Sequence, residues 1–200
     1  MHSDRVDPER TLETERLLLE PLGPQHATAL YAPLNDPQLY LFIPQDPPSS
    51  PQRLRERYVA LVARRSPDGR EVWLNWVMRR RDTGADVGTV EATVLADRTA
   101  FLAYMVFPPY QGQGFAREGC ARVLAHLVED YHMRSVAADI DTRNNASIHL
   151  VEALGFERIG MTRNADFFKG TPSDEYRYEH RASKRDQGGN DGQDGQDGQG

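Results

Sequence analysis

The segment at residues 104–116 constrains the fold of this 200-residue chain more than any other stretch. It contains an apolar run, the break Pro108-Pro109, two glycines at positions 112 and 114, and then an amphipathic run. This order predicts a strand, a glycine turn and a helix. Glycine lets backbone N–H groups approach a ligand closely. The start of a helix adds unpaired N–H donors and a partial positive charge. Together these features predict a site for phosphate or pyrophosphate.

The order Gln-x-x-Gly-x-Ala at residues 111–116 separates this turn from other phosphate-binding loops. It lacks the Gly-Lys-Ser/Thr ending of a P-loop, so no lysine is placed for a γ-phosphate. It also lacks the third glycine spacing of a dinucleotide-binding turn. We therefore expect an enzyme that holds a pyrophosphate-bearing cofactor, although a glycine turn by itself also fits an ordinary strand-to-helix connection.

A second segment, residues 139–156, has the form of a strand, a capped short helix and a stop. Asn144 or Asn145 can cap the helix. Gly155 suits the left-handed position that follows a helix, and Phe156 can pack back on it. The apolar face of this helix is predicted to consist of Ile148, Val151 and Leu154.

The two segments together resemble the GCN5-related N-acetyltransferases (GNAT). That family's acetyl-CoA loop is written Gln/Arg-x-x-Gly-x-Gly/Ala, and its second half-site is a strand, Asn-x-x-Ala/Ser, a short helix and Leu-Gly-Phe. The resemblance extends from about Leu12 to Arg181, in the branch that includes the Rim-type ribosomal-protein N-terminal acetyltransferases. It implies an α+β fold with a mixed, mostly antiparallel twisted sheet, helices on both faces and a splayed pair of central strands. It also implies acetyl transfer from acetyl-CoA to a primary amine, either a protein N-terminus or a small molecule.

The first segment is predicted to hold most of the acetyl-CoA. Backbone N–H groups of residues 112–117 suit the pyrophosphate, and the strand before Pro108 can pair with the pantetheine amides like an added strand. By resemblance, Asn144 adds a side-chain hydrogen bond to the same arm, and its alternative role is a plain helix cap. The predicted cofactor-binding residues are Tyr104, Met105, Val106, Gln111, Gly112, Gln113, Gly114, Phe115, Ala116, Arg117 and Asn144.

Three residues are candidates for catalysis. A primary amine is mostly protonated at neutral pH and needs a base. Glu91 lies in a run almost free of charge, and Asp139 lies where some family members carry a base, but either could be an ordinary solvent-facing carboxylate. Many family members place a Tyr seven residues after the motif Asn, where this chain has Val151. Ser147 is the substitute that we predict to orient the thioester or hydrogen-bond the leaving thiolate.

Hydrophobic periodicity predicts the remaining elements. Residues 35–51 are proline-rich and are predicted to form a loop, and the exposed face of a helix at 51–65 is basic and predicted to be solvated. Strands are predicted at 16–22, 71–80, 86–95, 100–107, 135–141, 156–162 and 175–180, and further helices at 24–34 and 116–131. The aromatic residues predicted to wall the acceptor side are Phe42, Trp73, Trp76, Phe167 and Phe168.

Composition narrows the partners and the compartment. The net charge of −6 and pI of about 5.5 argue against nucleic-acid binding, and no apolar run reaches the length of a membrane span. The single cysteine, Cys120, fits a reducing, cytoplasmic setting and a buried position. We expect a flexible segment at 1–11, an N-acetyltransferase domain at 12–182 and a disordered Gly/Asp/Gln tail at 183–200. No metal site is predicted, and the apolar run at 40–43 is a candidate homodimer contact.

The main alternative is a non-catalytic acyl-CoA-binding sensor module. The missing Tyr favours this alternative, whereas the intact glycine loop and Asn-x-x-Ser motif argue against it. Binding of the cofactor without thiol release would identify the sensor.

Overall fold

One eight-stranded sheet forms the centre of the structure, a computed structural model that describes residues 6–183. The strands are β1 Leu12–Glu13, β2 Leu17–Pro21, β3 Glu71–Arg80, β4 Asp86–Leu95, β5 Thr99–Val106, β6 Ser135–Asp141, β7 Glu157–Phe168 and β8 Thr171–Arg181. The α-helices are α1 Ala27–Tyr31, α2 Pro51–Leu61, α3 Phe115–Glu129 and α4 Asn145–Ala153. Single turns of 3₁₀-helix lie at Pro24–His26, Pro33–Asn35, Pro37–Tyr40 and Pro108–Tyr110.

The strand order across the sheet is β1-β2-β3-β4-β5-β6-β8-β7. Every neighbouring pair is antiparallel except β5 and β6, which are parallel and are joined through α3. Parallel neighbours need a long crossover connection, and a helix supplies it here. The mixed, mostly antiparallel α+β sheet predicted from the sequence is therefore confirmed.

The two parallel strands diverge in the middle of the sheet. β5 pairs with β6 only from Thr99 to Phe101, opposite residues 135–137. Beyond Phe101, β5 continues to Val106 beside β4, while β6 continues to Asp141 beside β8. The edge of β5 that faces β6 is consequently open over its last residues, in the way that the family resemblance implied.

Helices cover both faces of this sheet, as predicted. Alternate side chains of a strand point to opposite faces, and in β3 Trp76 faces α3 while Val77 faces α1 and α2. The α3 stripe that packs on the sheet is Cys120, Val123, Leu124 and Leu127. The residues of α1 and α2 that pack around Val77 and Phe107 are Ala27, Leu30, Leu54 and Tyr58.

The helices before β3 are shorter than the periodicity predicts. The helix predicted at 24–34 is divided into 3₁₀ turns on either side of α1, because Pro24 and Pro33 each begin a new turn. α2 begins at Pro51 with Ser50 as its cap, whose Oγ accepts from Arg53 N at 3.1 Å, and ends at Leu61 rather than at 65.

The last two strands are longer than predicted. β7 and β8 meet at the two-residue turn Lys169-Gly170, where both residues have positive φ (51° and 75°). Such turns match the twist of paired strands, so Phe167 and Phe168 belong to β7, beyond the strand end predicted at residue 162. No helix in residues 6–183 has both the length and the apolar character needed to cross a membrane. Apart from Ser183, the predicted tail lies outside the described residues.

Candidate active site

Two cavities meet at the end of β5. The larger one, here called the glycine-loop cleft, has a volume of about 590 Å³ and lies between residues 110–117, α4 and the proline-rich loop. The smaller one, here called the Glu91 cavity, has a volume of about 350 Å³ and lies between α2 and the middle of β3, β4 and β5. Ile43, Tyr104 and Met105 line both cavities. A molecule in the cleft can therefore meet a second molecule in the cavity at this junction.

The glycine loop has the backbone geometry of an anion site. Gly112 and Gly114 have φ values of 71° and 83°, a region in which residues with a Cβ are strained. Gly114 is the N-cap of α3, so the unpaired donors of the first helical turn open at the same place. Within residues 6–183, the N–H groups of residues 112–114 have no hydrogen-bond acceptor. Free donors at a helix start suit phosphate oxygens.

Two arginine side chains brace this loop and add positive charge. Arg16 Nη1 donates to Gln113 O at 3.0 Å, and Arg16 Nε donates to Glu118 Oε2 at 2.6 Å. The guanidinium groups of Arg16 and Arg80 lie 4.6 Å and 5.5 Å from the centroid of the Phe115 ring. The turn between β1 and β2 is thereby tied to the start of α3, a tie that the local motifs did not predict.

The predicted cofactor-binding residues gather around the cleft, with one exception. Gln113 is absent from the lining, and its Nε2 donates instead to Pro109 O at 2.9 Å. Gln111 donates from Nε2 to Val106 O at 2.9 Å, so this side chain occupies one carbonyl of the open β5 edge. The predicted residues that line the cleft are Tyr104, Met105, Val106, Gln111, Gly112, Gly114, Phe115, Ala116, Arg117 and Asn144.

Asn144 caps α4 and also lines the cleft. Its Oδ1 accepts from Ser147 N at 3.2 Å, which is the cap that sequence reasoning gave as the alternative role. Because the cap uses only the oxygen, the amide NH₂ group remains available as a donor.

A buried carboxylate fixes the turn that presents Asn144. Asp141 accepts from Arg143 N at 2.8 Å, Arg143 Nε at 2.9 Å and Ser173 Oγ at 2.7 Å. Burial by itself would raise the pKa of Asp141, but these hydrogen bonds outweigh it and hold the pKa at about 2. The turn between β6 and α4 is therefore anchored to β8 by an ionised carboxylate.

The phenol of Tyr104 contacts the start of α4, and the sequence motifs did not predict this contact. Tyr104 of β5 donates its hydroxyl proton to Ser147 Oγ at 2.9 Å. Burial raises the pKa of Tyr104 to about 12, although the Ser147 hydrogen bond lowers it in part. Val151, at the position where many family members carry a Tyr, is only 2% exposed and belongs to the core. Sequence reasoning assigned only the backbone of Tyr104, and no local spacing indicates a contact between residues 43 positions apart.

Glu91 stands in the second cavity. It pairs across the sheet with Asn75 of β3 and Ala103 of β5, and it shares the cavity wall with Arg57 and Tyr58 of α2. Glu91 is exposed by its surface area, because water reaches it through the cavity, and the surrounding protein atoms desolvate its carboxyl group only in part. This desolvation raises the pKa of Glu91, while the positive charge of Arg57 lowers it in part.

Asp139 is not brought to the junction. It lines neither cavity, and its carboxylate is paired with Arg177 of β8, whose Nη2 lies 2.8 Å from Asp139 Oδ2. The structure therefore places Tyr104 and Ser147 at the cleft with the glycine loop, places Glu91 in the adjoining cavity on the α2 face of the sheet, and leaves Asp139 in an ion pair on the next strands.

Most aromatic residues predicted to wall the acceptor side lie elsewhere. Trp76 is 1% exposed on the α3 face, where its indole N–H donates to Arg10 O at 3.0 Å. Trp73 is half-buried outside both linings, and Phe168 is buried. Phe167 is 67% exposed. Only Phe42 lines the cleft. Hydrophobicity identified these side chains, but strand alternation decides which face each one takes.

The proline-rich loop is held inside the domain. The Lys169 ammonium donates to Ile43 O at 3.0 Å and also to Tyr40 O. Tyr40 is 5% exposed, and its hydroxyl donates to Leu34 O at 2.8 Å. Of the apolar run at 40–43, only Leu41 is largely exposed. Tyr40 therefore packs within the chain, Phe42 and Ile43 are half-buried, and Leu41 is the exposed member of the run.

Two other chemistries find no support among residues 6–183. Cys120 is fully buried, and burial raises the pKa of its thiol to about 12, which leaves it inert as a nucleophile. No group of three or more His, Cys, Asp or Glu side chains in this part of the chain stands ready to hold a metal ion.

The chain is similar to known acetyltransferases over most of its length. The family described as "Acetyltransferase (GNAT) domain" matches residues 16–157. The uncharacterized N-acetyltransferase YoaA of Bacillus subtilis is 27% identical over 168 residues, which are 82% of this chain and 92% of YoaA. The uncharacterized N-acetyltransferase p20 of Bacillus licheniformis is 23% identical over 170 residues, 84% of this chain and 94% of p20.

Solved structures show the same fold. RimL, a ribosomal L7/L12 α-N-protein acetyltransferase in complex with coenzyme A, aligns with a TM-score of 0.76 at 16% identity, covering 86% of this chain and 98% of that one. Mycobacterium smegmatis RimJ, in complex with CoA-disulfide, aligns with a TM-score of 0.75 at 20% identity, covering 87% and 88%. The fold, the two sequence motifs and the family match over residues 16–157 agree, and this chain belongs to the GNAT acetyltransferases.

Proposed function

We propose that this protein transfers the acetyl group of acetyl-CoA to a primary amine by direct attack in a ternary complex. The observation that carries this proposal is the meeting of two cavities at Tyr104 and Met105, one with a glycine loop that has free N–H donors and the other with the Glu91 carboxyl group in its lining. A transferase that holds two substrates at once needs two such compartments with one junction.

The glycine-loop cleft fits acetyl-CoA. The free N–H groups of residues 112–114 and the start of α3 match the pyrophosphate, and Arg117 adds a positive charge to the lining. The open edge of β5 offers backbone groups to the pantetheine amides. Asn144 contributes the NH₂ donor that its cap leaves free.

Glu91 is the base in this proposal. Bound acetyl-CoA supplies a thioester that a neutral amine can attack. Glu91 accepts the proton that the amine loses, and its raised pKa brings the carboxylate closer to the basicity of an amine. Asp139 is less suited to this role because Arg177 holds its carboxylate outside both cavities.

Ser147 and Tyr104 assist departure of the thiolate. The phenol of Tyr104 fills one acceptor site on Ser147 Oγ, which leaves the serine proton free to point at sulfur. A phenol with a pKa of about 12 does not give up its proton to a thiolate, since a thiol has a pKa of about 8.5. Tyr104 is therefore a positioning residue, and Ser147 donates the hydrogen bond to sulfur.

A non-catalytic acyl-CoA sensor is the weaker alternative. A module that only binds the cofactor has no use for a carboxyl group with a raised pKa in a second cavity next to the cofactor cleft. The proposed acceptors are primary amines. Protein N-termini are included among them because the structural neighbour RimL is a protein N-terminal acetyltransferase.

Thiol release from acetyl-CoA tests this function. The wild-type protein is mixed with a panel of small amines and short N-terminal peptides, and initial rates are measured while both substrates are varied. Direct attack predicts release that depends on the amine, with intersecting double-reciprocal lines. Cofactor binding without release from any amine would favour the sensor, and parallel lines would indicate a covalent acetyl-enzyme instead.

A further inference from the structure

One face of α2 packs toward the sheet and places charged side chains in the lining of the Glu91 cavity. Arg53 and Arg57 are one helical turn apart and therefore lie on the same side of α2. Both line the cavity, together with Leu54 and Tyr58 of the same helix. The basic face of this helix, predicted from the sequence to be solvated, is thus partly a cavity wall.

Arg57 differs from the other charged residues of this wall. Arg53 is committed to Glu56, with Nη1 2.9 Å from Oε2, whereas no residue in the range 6–183 forms an ion pair or a hydrogen bond with the Arg57 guanidinium. Its charge is felt inside the cavity, because it lowers the pKa of Tyr40, Tyr58 and Glu91 against the burial that raises all three.

Asp46 also lines the cavity, and it could in principle oppose an anionic ligand. Its charge contributes to none of the pKa shifts of Tyr40, Tyr58 and Glu91. The lining thus holds two cations, Arg53 and Arg57, and two carboxyl groups, Asp46 and Glu91, and Arg57 is the cation whose charge acts on Glu91.

We infer that the acceptor is an amine that carries a carboxylate close by, with its amine at Glu91 and its carboxylate at Arg57. This inference rests on the proposed function, which makes the Glu91 cavity the acceptor site. A guanidinium binds a carboxylate through two parallel hydrogen bonds. The Tyr58 hydroxyl, whose pKa burial raises, stays protonated and is a second donor on the same wall. The α-carboxylate of an amino acid and an acidic side chain beside a peptide N-terminus share this chemistry.

The volume of the cavity limits the size of this acceptor. About 350 Å³ is near the lower end of the range for ligand pockets. Such a space admits about one or two amino-acid residues. The acceptor therefore places its amine, its carboxylate and little else inside the cavity, and any longer chain continues outward.

Pairs of acceptors that differ only in one carboxylate test the inference. They also distinguish an α-carboxylate from an acidic side chain as the group bound at Arg57. The first pair is a free amino acid and its primary amide, and the second is the dipeptide amide Ser-Asp-NH₂ and its isostere Ser-Asn-NH₂. A charge-assisted hydrogen-bonded pair predicts that kcat/KM for the acid exceeds that for its amide by about tenfold or more in one of the pairs. Arg57→Gln lowers kcat/KM for the acid more than for the amide and so abolishes that preference, while Arg55→Gln, an exposed change on the same helix outside the cavity, preserves it.

Two results would overturn the inference: no preference for the acid in either pair, or an equal loss for acid and amide in Arg57→Gln. Calorimetric binding of the N-acetylated products gives a readout that does not need turnover. Tighter binding of the acidic product, lost in Arg57→Gln, supports the anion site even if no amine releases thiol and the proposed function fails. Equal binding of the acidic and amide products would refute the site by itself.

Discussion

At the scale of single residues, the site is defined by polar groups held where they cost stability. Glu91 is an exposed residue of a cavity wall, and partial desolvation of its carboxyl group by that wall raises its pKa above that of an ordinary glutamate. A free carboxyl in the unfolded chain ionises near pH 4.3. Between that pH and the raised native pKa, the unfolded state loses its proton first, so folding becomes less favourable as pH rises. Above the native pKa, the folded state keeps the whole free-energy cost of ionising Glu91.

Glu91→Gln should therefore be more stable than the wild type at about pH 8. At about pH 3, where the wild-type carboxyl is protonated in both states, the two proteins should have nearly equal free energies of unfolding. Denaturant unfolding at several pH values measures this difference. If the variant is less stable at high pH, the carboxylate is a structural partner and not a group kept for catalysis at a cost in stability.

Tyr104 and Ser147 are expected to act as one unit. Ser147→Ala should lower kcat about three- to tenfold, the loss expected for one neutral hydrogen bond, with little change in the Kd of acetyl-CoA. Tyr104→Phe should lower kcat by a similar or smaller factor but have no further effect in the Ser147→Ala background. Tyr176→Phe, which lies outside both cavities, serves as the control. Fully multiplicative losses in the double variant would show that Tyr104 acts separately from Ser147.

At the scale of elements, two turns present the cofactor-binding groups. The glycine loop depends on local chemistry, because glycines with positive φ and a helix start are encoded within a few residues. The turn between β6 and α4 depends on a distant partner, since Ser173 of β8 holds Asp141 in place. Sequence motifs predicted both turns. They did not identify Arg16, which holds the glycine loop, or Ser173, which holds Asp141.

Gly114→Val should weaken acetyl-CoA binding by at least about tenfold, roughly 1.4 kcal/mol, because it places a β-branched side chain where N–H groups meet phosphate. Gly84→Val is the matched control, since Gly84 has a similar φ of 72° in the β3–β4 turn with open space around it. Calorimetry on both variants separates backbone strain from ligand binding. Equal acetyl-CoA affinity in the two variants would show that the loop is structural only.

Asp141→Asn should loosen the turn that carries Asn144. The native pKa of about 2 lies below the ordinary Asp value near 3.9, so ionised Asp141 contributes about 2 kcal/mol of stability at neutral pH. That contribution is lost as pH falls from about 4 to 2, and the variant lacks it at every pH. Unfolding measured across this window should show wild type and variant converging in acid. A constant difference down to about pH 2 would mean that Asp141 stabilises the turn in a way that does not depend on its charge.

At the scale of the whole molecule, the site depends on two features. One is the divergence of β5 from β6, and the other is the packing of α2 over the sheet face that carries Glu91. The sequence predicted the α+β sheet and, by family resemblance, the splay. Its local motifs also identified the part of the cleft lining that the glycine loop, the end of β5 and Asn144 supply, apart from Gln113. It did not predict the Tyr104–Ser147 hydrogen bond, the Arg57 wall or the position of Trp76. Those depend on strand alternation and on contacts between distant segments, which spacing along the chain does not encode.

In the proposed reaction Glu91, and not Asp139, accepts the proton of an amine next to bound acetyl-CoA. The most direct measurement compares kcat for thiol release, with a single amine acceptor, in the wild type, Glu91→Gln and Asp139→Asn, each with its calorimetric Kd for acetyl-CoA. We expect Glu91→Gln to lose about 10²-fold or more in kcat with an unchanged Kd, and to lose less at high pH, where free amine is abundant. Asp139→Asn should keep most of its activity. Full activity of Glu91→Gln across the pH range, or an equal loss in Asp139→Asn, would contradict the claim.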